Sequence, residues 1–198
     1  MPLTSPIYWS PWIYRATMRL LYGKQVDERY RIVDRLVPDG ARVVELCCGC
    51  GYLYEHFLRH RGVRYHGIDL LPHMTSRLRQ LGAKVEQADV REAPVPAAEY
   101  VLMLGSLYHF HPDEAGMLRK MAASGTGIVL EPLKNFSQSA NPLVQLGART
   151  LTHIGGSSSH RRLTAPELAA ALAQAGVRLL EARDELEGRY RLLVFTAG

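Results

Sequence analysis

Three cysteines, Cys47, Cys48 and Cys50, crowd into four positions of the stretch VVELCCGCGYLYEHF (residues 43–57), interleaved with Gly49 and Gly51. With His56 and His60, spaced one helical turn apart just downstream, they carry the residue types of a zinc site. Structural zinc sites, however, hold C-x₂₋₄-C pairs in knuckles, whereas these cysteines alternate through a strand-to-helix turn. The pattern favours no metal, and Cys48 and Cys50 read as small packing groups. Adjacent cysteines are also poorly placed to bridge each other, which fits a reducing compartment.

The glycines suggest other chemistry. A glycine turn directly after a buried strand bends the chain sharply and lets a ligand approach the backbone, while the helix that follows offers free N–H groups. A dinucleotide fingerprint would need a third glycine where Tyr54 stands, and no G-K-[ST] of a P-loop follows. Glu45 precedes the loop, where a carboxylate repels pyrophosphate but suits a positively charged ligand. Asp69 ends the next strand and is placed to accept both hydroxyls of a ribose. Asp89 ends the third, within reach of an adenine amino group. Carboxylates at three strand ends around a glycine loop describe a site for an adenosine that carries an amino-acid moiety.

On these residues the chain resembles the class I S-adenosylmethionine-dependent methyltransferases. The family loop E/D-x-G-x-G-x-G matches ELCCGCG (45–51), with Cys47 in place of the first glycine. The acidic strand end in GIDLL, the ADV aspartate and LYHFHP after the fourth strand fall in family order, so the resemblance covers residues 24–131. It implies S-adenosyl-L-methionine as cofactor, held by Glu45, Cys47, Gly49, Gly51, Asp69, Leu70, Asp89, Val90, Leu104 and Gly105. It implies methyl transfer by in-line displacement, and the chain's features point to a small-molecule acceptor. Tyr108, His109 and His111 are then the catalytic candidates, His109 first, as base or acceptor-orienting residue, because histidine's ordinary pKa of about 6.5 suits proton transfer near neutrality. In the family, a histidine at that place as often only packs or orients the loop.

The elements that must position these residues follow from periodicity. Helical patterns cover 11–22, 24–36, 52–60, 73–82, 113–123 and 165–175. Apolar strand patterns cover 42–46, 63–70, 84–89, 100–104, 127–131, 177–182 and 190–196. This alternation predicts an α/β, Rossmann-like fold: a seven-stranded, mostly parallel sheet with helices on both faces. Only a polar turn around Asp184–Gly188 joins the last two strands, so one of them runs antiparallel, in agreement with the family's reversed seventh strand.

A chain of 198 residues fits one domain, with residues 1–36 as an N-terminal helical cover and 132–163 as a lid or acceptor insertion. That insertion is long for a connection and rich in polar groups such as Asn135, Gln138, Asn141, His153 and His160. The net charge of +5 is spread along the chain, the pattern of a solvated surface and not of a nucleic-acid footprint. The start of the chain has no signal-peptide pattern, and no apolar run reaches the roughly 18 residues of a membrane span. A cytoplasmic protein without integral membrane association is expected. Two other classes stand beside the small-molecule reading: a non-catalytic module that keeps the fold, and an RNA or protein methyltransferase. The [DNS]-P-P-[YFW] motif of amino-group nucleic-acid enzymes is replaced here by LGSLYHF, and no RNA-binding module is visible.

Overall fold

Apolar runs too short for helices become the strands of one sheet. The computed structural model describes residues 10–22, 25–133 and 162–198. Helices α1 (Pro11–Tyr22) and α2 (Gln25–Asp34) lead into strand β1 (Arg42–Leu46), whose last four residues are all buried. Strands β2 (Arg64–Asp69), β3 (Lys84–Gln87), β4 (Tyr100–Leu104) and β5 (Thr126–Pro132) alternate with helices α3 (Ser76–Gln80) and α4 (Glu114–Ser124). Helix α5 (Ala165–Ala175) precedes the hairpin of β6 (Val177–Glu185) and β7 (Tyr190–Ala197).

The sheet runs β3-β2-β1-β4-β5-β7-β6. The first five strands are parallel, and β7 runs antiparallel to both β5 and β6. Period-two alternation sends neighbouring residues to opposite faces. Val44, Met103, Val129 and Leu193 pack under α4 and α5, while Val43, Leu102, Ile128 and Leu192 pack under α2 and α3. Burying each such side chain contributes roughly 1.5–3 kcal/mol. Sequence also sets the helix ends. Asp113 accepts a hydrogen bond from the Gly116 N–H at 3.0 Å. Thr164 and Glu167 form a reciprocal cap on α5, and Gly176 closes it in the left-handed conformation.

Two expected helices are shorter than their patterns. Of 52–60, residues Tyr54–Leu58 form a π-helical turn, with the Arg59 N–H reaching the Tyr54 carbonyl at 2.9 Å. Leu53 and Leu58 are both fully buried; five residues apart, they would diverge on a 3.6-residue turn, and the wider turn returns both to the core. Of 73–82, only Ser76–Gln80 is α-helical, because Thr75 spends its hydroxyl on the Pro72 carbonyl at 3.0 Å and holds the preceding residues in turns. Apart from its two ends, the 132–163 insertion, with Asn135, Gln138, Asn141, His153 and His160, lies outside the described residues.

Strand order reverses between β1 and β4, whose neighbours lie on opposite sides. In open α/β sheets the crevice beyond the strand ends at such a point receives ligands.

Candidate active site

Beyond Leu46 the chain turns through Cys47, Gly49 and Gly51, with φ of 54°, 53° and 70°. Cys47 thus adopts the left-handed backbone at the position where the family loop has glycine, a conformation that costs a side-chain-bearing residue about 1 kcal/mol or more. The two glycines differ in purpose. A side chain at Gly49 would meet open space, whereas one at Gly51 would lie 2.2 Å from the Leu78 side chain on α3. Gly49 keeps the ligand face bare, and Gly51 lets the loop pack on the helix.

The strand-end carboxylates hold this loop. Asp69, buried at the end of β2, accepts from the Gly49 N–H at 2.7 Å and the Leu71 N–H at 2.9 Å. Burial raises its pKa against the pull of those two donors. Glu45 accepts from the Tyr65 hydroxyl at 2.5 Å. Burial lifts its pKa to about 7; the tyrosine opposes that rise and the charge of Asp69 adds to it. Asp89 accepts from the Arg91 N–H at 2.9 Å and pairs with its guanidinium at 3.4 Å. On the outer side, Arg15 of α1 donates to the Cys50 carbonyl at 3.3 Å and pairs with Glu55, tying the N-terminal helix to the loop.

A cavity of about 250 Å³ opens at this point. Glu45, Cys47, Gly49, Asp69 and Leu70 line it, as do Asp89, Val90, Leu104 and Gly105. Gly51 is the one residue of the expected binding set outside the lining, consistent with its packing against Leu78.

The far wall starts with a 3₁₀ turn, Leu107–Phe110. Its N-terminal donors converge on Glu131 at the end of β5, which is fully buried and accepts from the N–H groups of Leu107 at 3.1 Å and Tyr108 at 3.3 Å. Burial lifts the Glu131 pKa to about 7, with Arg162 and these donors opposing. Tyr108 and His109 line the cavity, their rings 4.0 Å apart, and the Arg162 guanidinium lies 4.0 Å from the Tyr108 ring centre. Burial first, then the charges of Arg162 and Arg91, push His109 down to about 4. His111 is not in the lining; its Nδ1 lies 2.8 Å from the Glu114 carboxylate.

Arg29, Tyr30, Glu131, Arg162 and Tyr190 are not among the site residues expected from the sequence. Four of them line the cavity, and Glu131 supports its wall from behind. Only Glu131 carried a signal, since GIVLE closes an apolar run with an acid much as VVE does at Glu45. Among the described residues, no three His, Cys, Asp or Glu side chains gather as a metal ion would require.

A family model for a methyltransferase domain matches residues 15–182. No match was found among curated proteins. The fold is similar to that of a TehB-like SAM-dependent methyltransferase from Corynebacterium glutamicum, at 16% identity over 94% of this chain and 96% of that one, with a TM-score of 0.64. It is also similar to a putative methyltransferase from Haloferax volcanii solved with the Trm112 methyltransferase activator: 16% identity, 98% and 99% coverage, TM-score 0.70. Magnesium protoporphyrin IX methyltransferase from Synechocystis PCC 6803, solved with bound SAH, gives 16% identity, 91% and 85% coverage and a TM-score of 0.64.

Proposed function

The chain belongs to the methyltransferase-domain family, with the class I S-adenosylmethionine-dependent fold, and from that premise we propose that it methylates a small-molecule acceptor in the cavity at the β1–β4 switch point. The observation that carries this reading is the meeting of Glu45, Asp69 and Asp89, from three successive strand ends, around the bare face of Gly49.

The donor set fits the cofactor. Asp69 has lone pairs left beside its two backbone donors, enough to accept ribose hydroxyls. Asp89, with Val90 and Leu70, suits an adenine edge and its apolar face. Glu45 offers a carboxylate to an ammonium or sulfonium charge. Arg29 sits near the loop through its neighbour Tyr30, whose ring stacks on Tyr52 at 4.8 Å, and it suits the amino-acid carboxylate. Leu104 and Gly105 wall the methionine end. When bound, S-adenosylmethionine supplies a methyl group already activated by its sulfonium charge.

The chain's own task is then alignment and exclusion of water. His109, held neutral at pH 7, is a weak base there and serves to orient the acceptor. Tyr108, whose pKa burial raises, stays protonated and can donate to the acceptor. His111 has no part in this reading, because it lies off the cavity. The free Cys47, Cys48 and Cys50 suit a reducing cytoplasm, and no helix among the described residues is long and apolar enough to cross a membrane.

Calorimetry with adenosylhomocysteine tests the reading. One-to-one binding is expected, and release of adenosylhomocysteine from S-adenosylmethionine with an acceptor panel then separates an enzyme from a binding module. Absence of binding heat for either ligand would end the proposal.

A further inference from the structure

The two edge strands of the sheet are built differently. At one edge β3 spans only Lys84–Gln87 and carries the charges of Lys84 and Glu86, a form that discourages pairing with another chain. At the other edge β6 runs nine residues, Val177–Glu185. Its Leu179 and Leu180 are 45% and 53% exposed. Beside Leu179, helix α5 turns Ala169 and Ala173 outward, and with Leu168, Leu172 and Leu193 they line an apolar groove of about 280 Å³. Small-molecule pockets run larger, roughly 300–1,000 Å³, and converge polar groups on the ligand. The one charged residue in this lining, Arg191, is engaged by Asp184 at 2.8 Å. The edge therefore suits the apolar side chains of another chain.

The charges of β6 identify that chain. Glu181 pairs with Arg183, Arg183 with Glu185 at 2.5 Å, and Asp184 with Arg191. Among the described residues, Arg178 is the one charged side chain of β6 in no ion pair. Arg178 and Glu181 stand opposite Thr196 and Val194 on β7, so they share a face of the sheet. Two copies of β6 laid antiparallel about a two-fold axis between Leu179 and Leu180 use all of these features. Arg178 of each copy then faces Glu181 of the other, Leu179 faces Leu180, and Val177 faces Ala182. The register of β6 on β7 slips between Leu179 and Glu181, which makes Leu180 the extra residue of a bulge. A bulge ordinarily blunts an edge, but in this register the two bulges face each other and the pairs on either side stay in step.

We propose that β6 is the interface of a symmetric homodimer, which joins two seven-stranded sheets edge to edge and buries Leu179, Leu180 and the mouth of the groove. This is independent of the methyltransferase reading, because no residue of β6 lines the switch-point cavity.

Sedimentation velocity of the full chain between about 1 and 100 µM tests the proposal. A contact of this size is weak, so monomer should give way to dimer within that range. Hydrogen exchange should show the β6 amides gaining protection as the dimer forms. Leu180→Lys, at an exposed position outside the core, should weaken the dimer roughly tenfold or more. Arg178→Glu should weaken it about three- to tenfold, and combining it with Glu181→Arg should recover most of that loss. Both sites are exposed or half-buried, and circular dichroism checks that each variant folds. A monomer at every concentration, a dimer that Leu180→Lys leaves intact, or a charge reversal that the double variant fails to rescue would overturn the proposal. So would growth beyond a dimer, because a two-fold contact closes on itself.

Discussion

The loop wall and the far wall of the cavity are built on different principles. On the loop wall each carboxylate stands at or just beyond the end of its own strand and is fixed close by, Asp69 by the N–H groups of Gly49 and Leu71, Asp89 by that of Arg91 and Glu45 by the Tyr65 hydroxyl. The far wall is assembled from pieces distant in the chain: the 107–110 turn, Glu131 behind it, Arg162 over Tyr108, and Tyr190 beside Pro132. One wall carries its chemistry in residue type and position along the chain, the other in packing. A change on the loop wall should therefore act on ligand binding, and a change behind the far wall should act on folding first.

The sharpest test of that contrast is Glu131→Ala. It strips acceptors from the N–H groups of Leu107 and Tyr108 in a fully buried setting, so unfolding free energy should drop by roughly 3–5 kcal/mol. Urea denaturation would measure it, and a loss under about 0.5 kcal/mol would mean the turn is held by other contacts.

Asp69→Asn makes the opposite demand on the loop wall. Loss of the charged acceptor should weaken adenosylhomocysteine roughly ten- to a hundredfold by calorimetry, with a smaller cost in stability. Equal loss in both readouts would erase the distinction between the walls.

Glu45 gives the loop wall a pH signature. Its pKa in the folded protein is raised to about 7 from an ordinary 4.5, so between those values the folded chain holds a proton that the unfolded chain has lost. Glu45 therefore makes the unliganded fold less stable as pH rises through that window, the reverse of the usual carboxylate behaviour. A cationic ligand selects the ionised form, so affinity should climb by up to about tenfold per pH unit below 7 and level off above it. In Glu45→Gln the affinity slope should vanish, since the amide oxygen still accepts from Tyr65, while the stability slope should shrink and not disappear, because buried Glu131 is raised to about 7 as well. An affinity slope that persists, or a stability slope that does not change, would assign it to another group.

The smallest effect concerns Cys47. Glycine at this left-handed position should stabilise the fold by about 0.5–1 kcal/mol, the relieved strain outweighing the added chain entropy of the unfolded state. A decrease in the denaturation midpoint would show that packing of the thiol outweighs the strain.

Legibility followed the same division. Alternating apolar runs revealed all seven strands and the reversed hairpin, because a buried strand needs continuous apolar sequence and a tight turn needs its own residues. That Glu45, Gly49, Asp69 and Asp89 line one cavity was readable because residues at successive parallel strand ends are brought to one edge of the sheet by strand order alone. The ends of the helices over 52–60 and 73–82 were not readable, since the need to bury Leu53 and Leu58 together and the Thr75–Pro72 bond decided them.

By itself, then, the sequence determined the fold class, the order of elements and the acidic half of the site, all of which rest on local pattern and on residues close to their own strand ends. Only the tertiary structure decided that Gly51 serves packing, that His111 faces Glu114 off the cavity, that burial and two arginines keep His109 neutral, and that Glu131 and Arg162 define the far wall. Those outcomes depend on burial and on charges brought together across the sheet, and neither quantity exists until strand order has placed β4, β5 and β7 side by side.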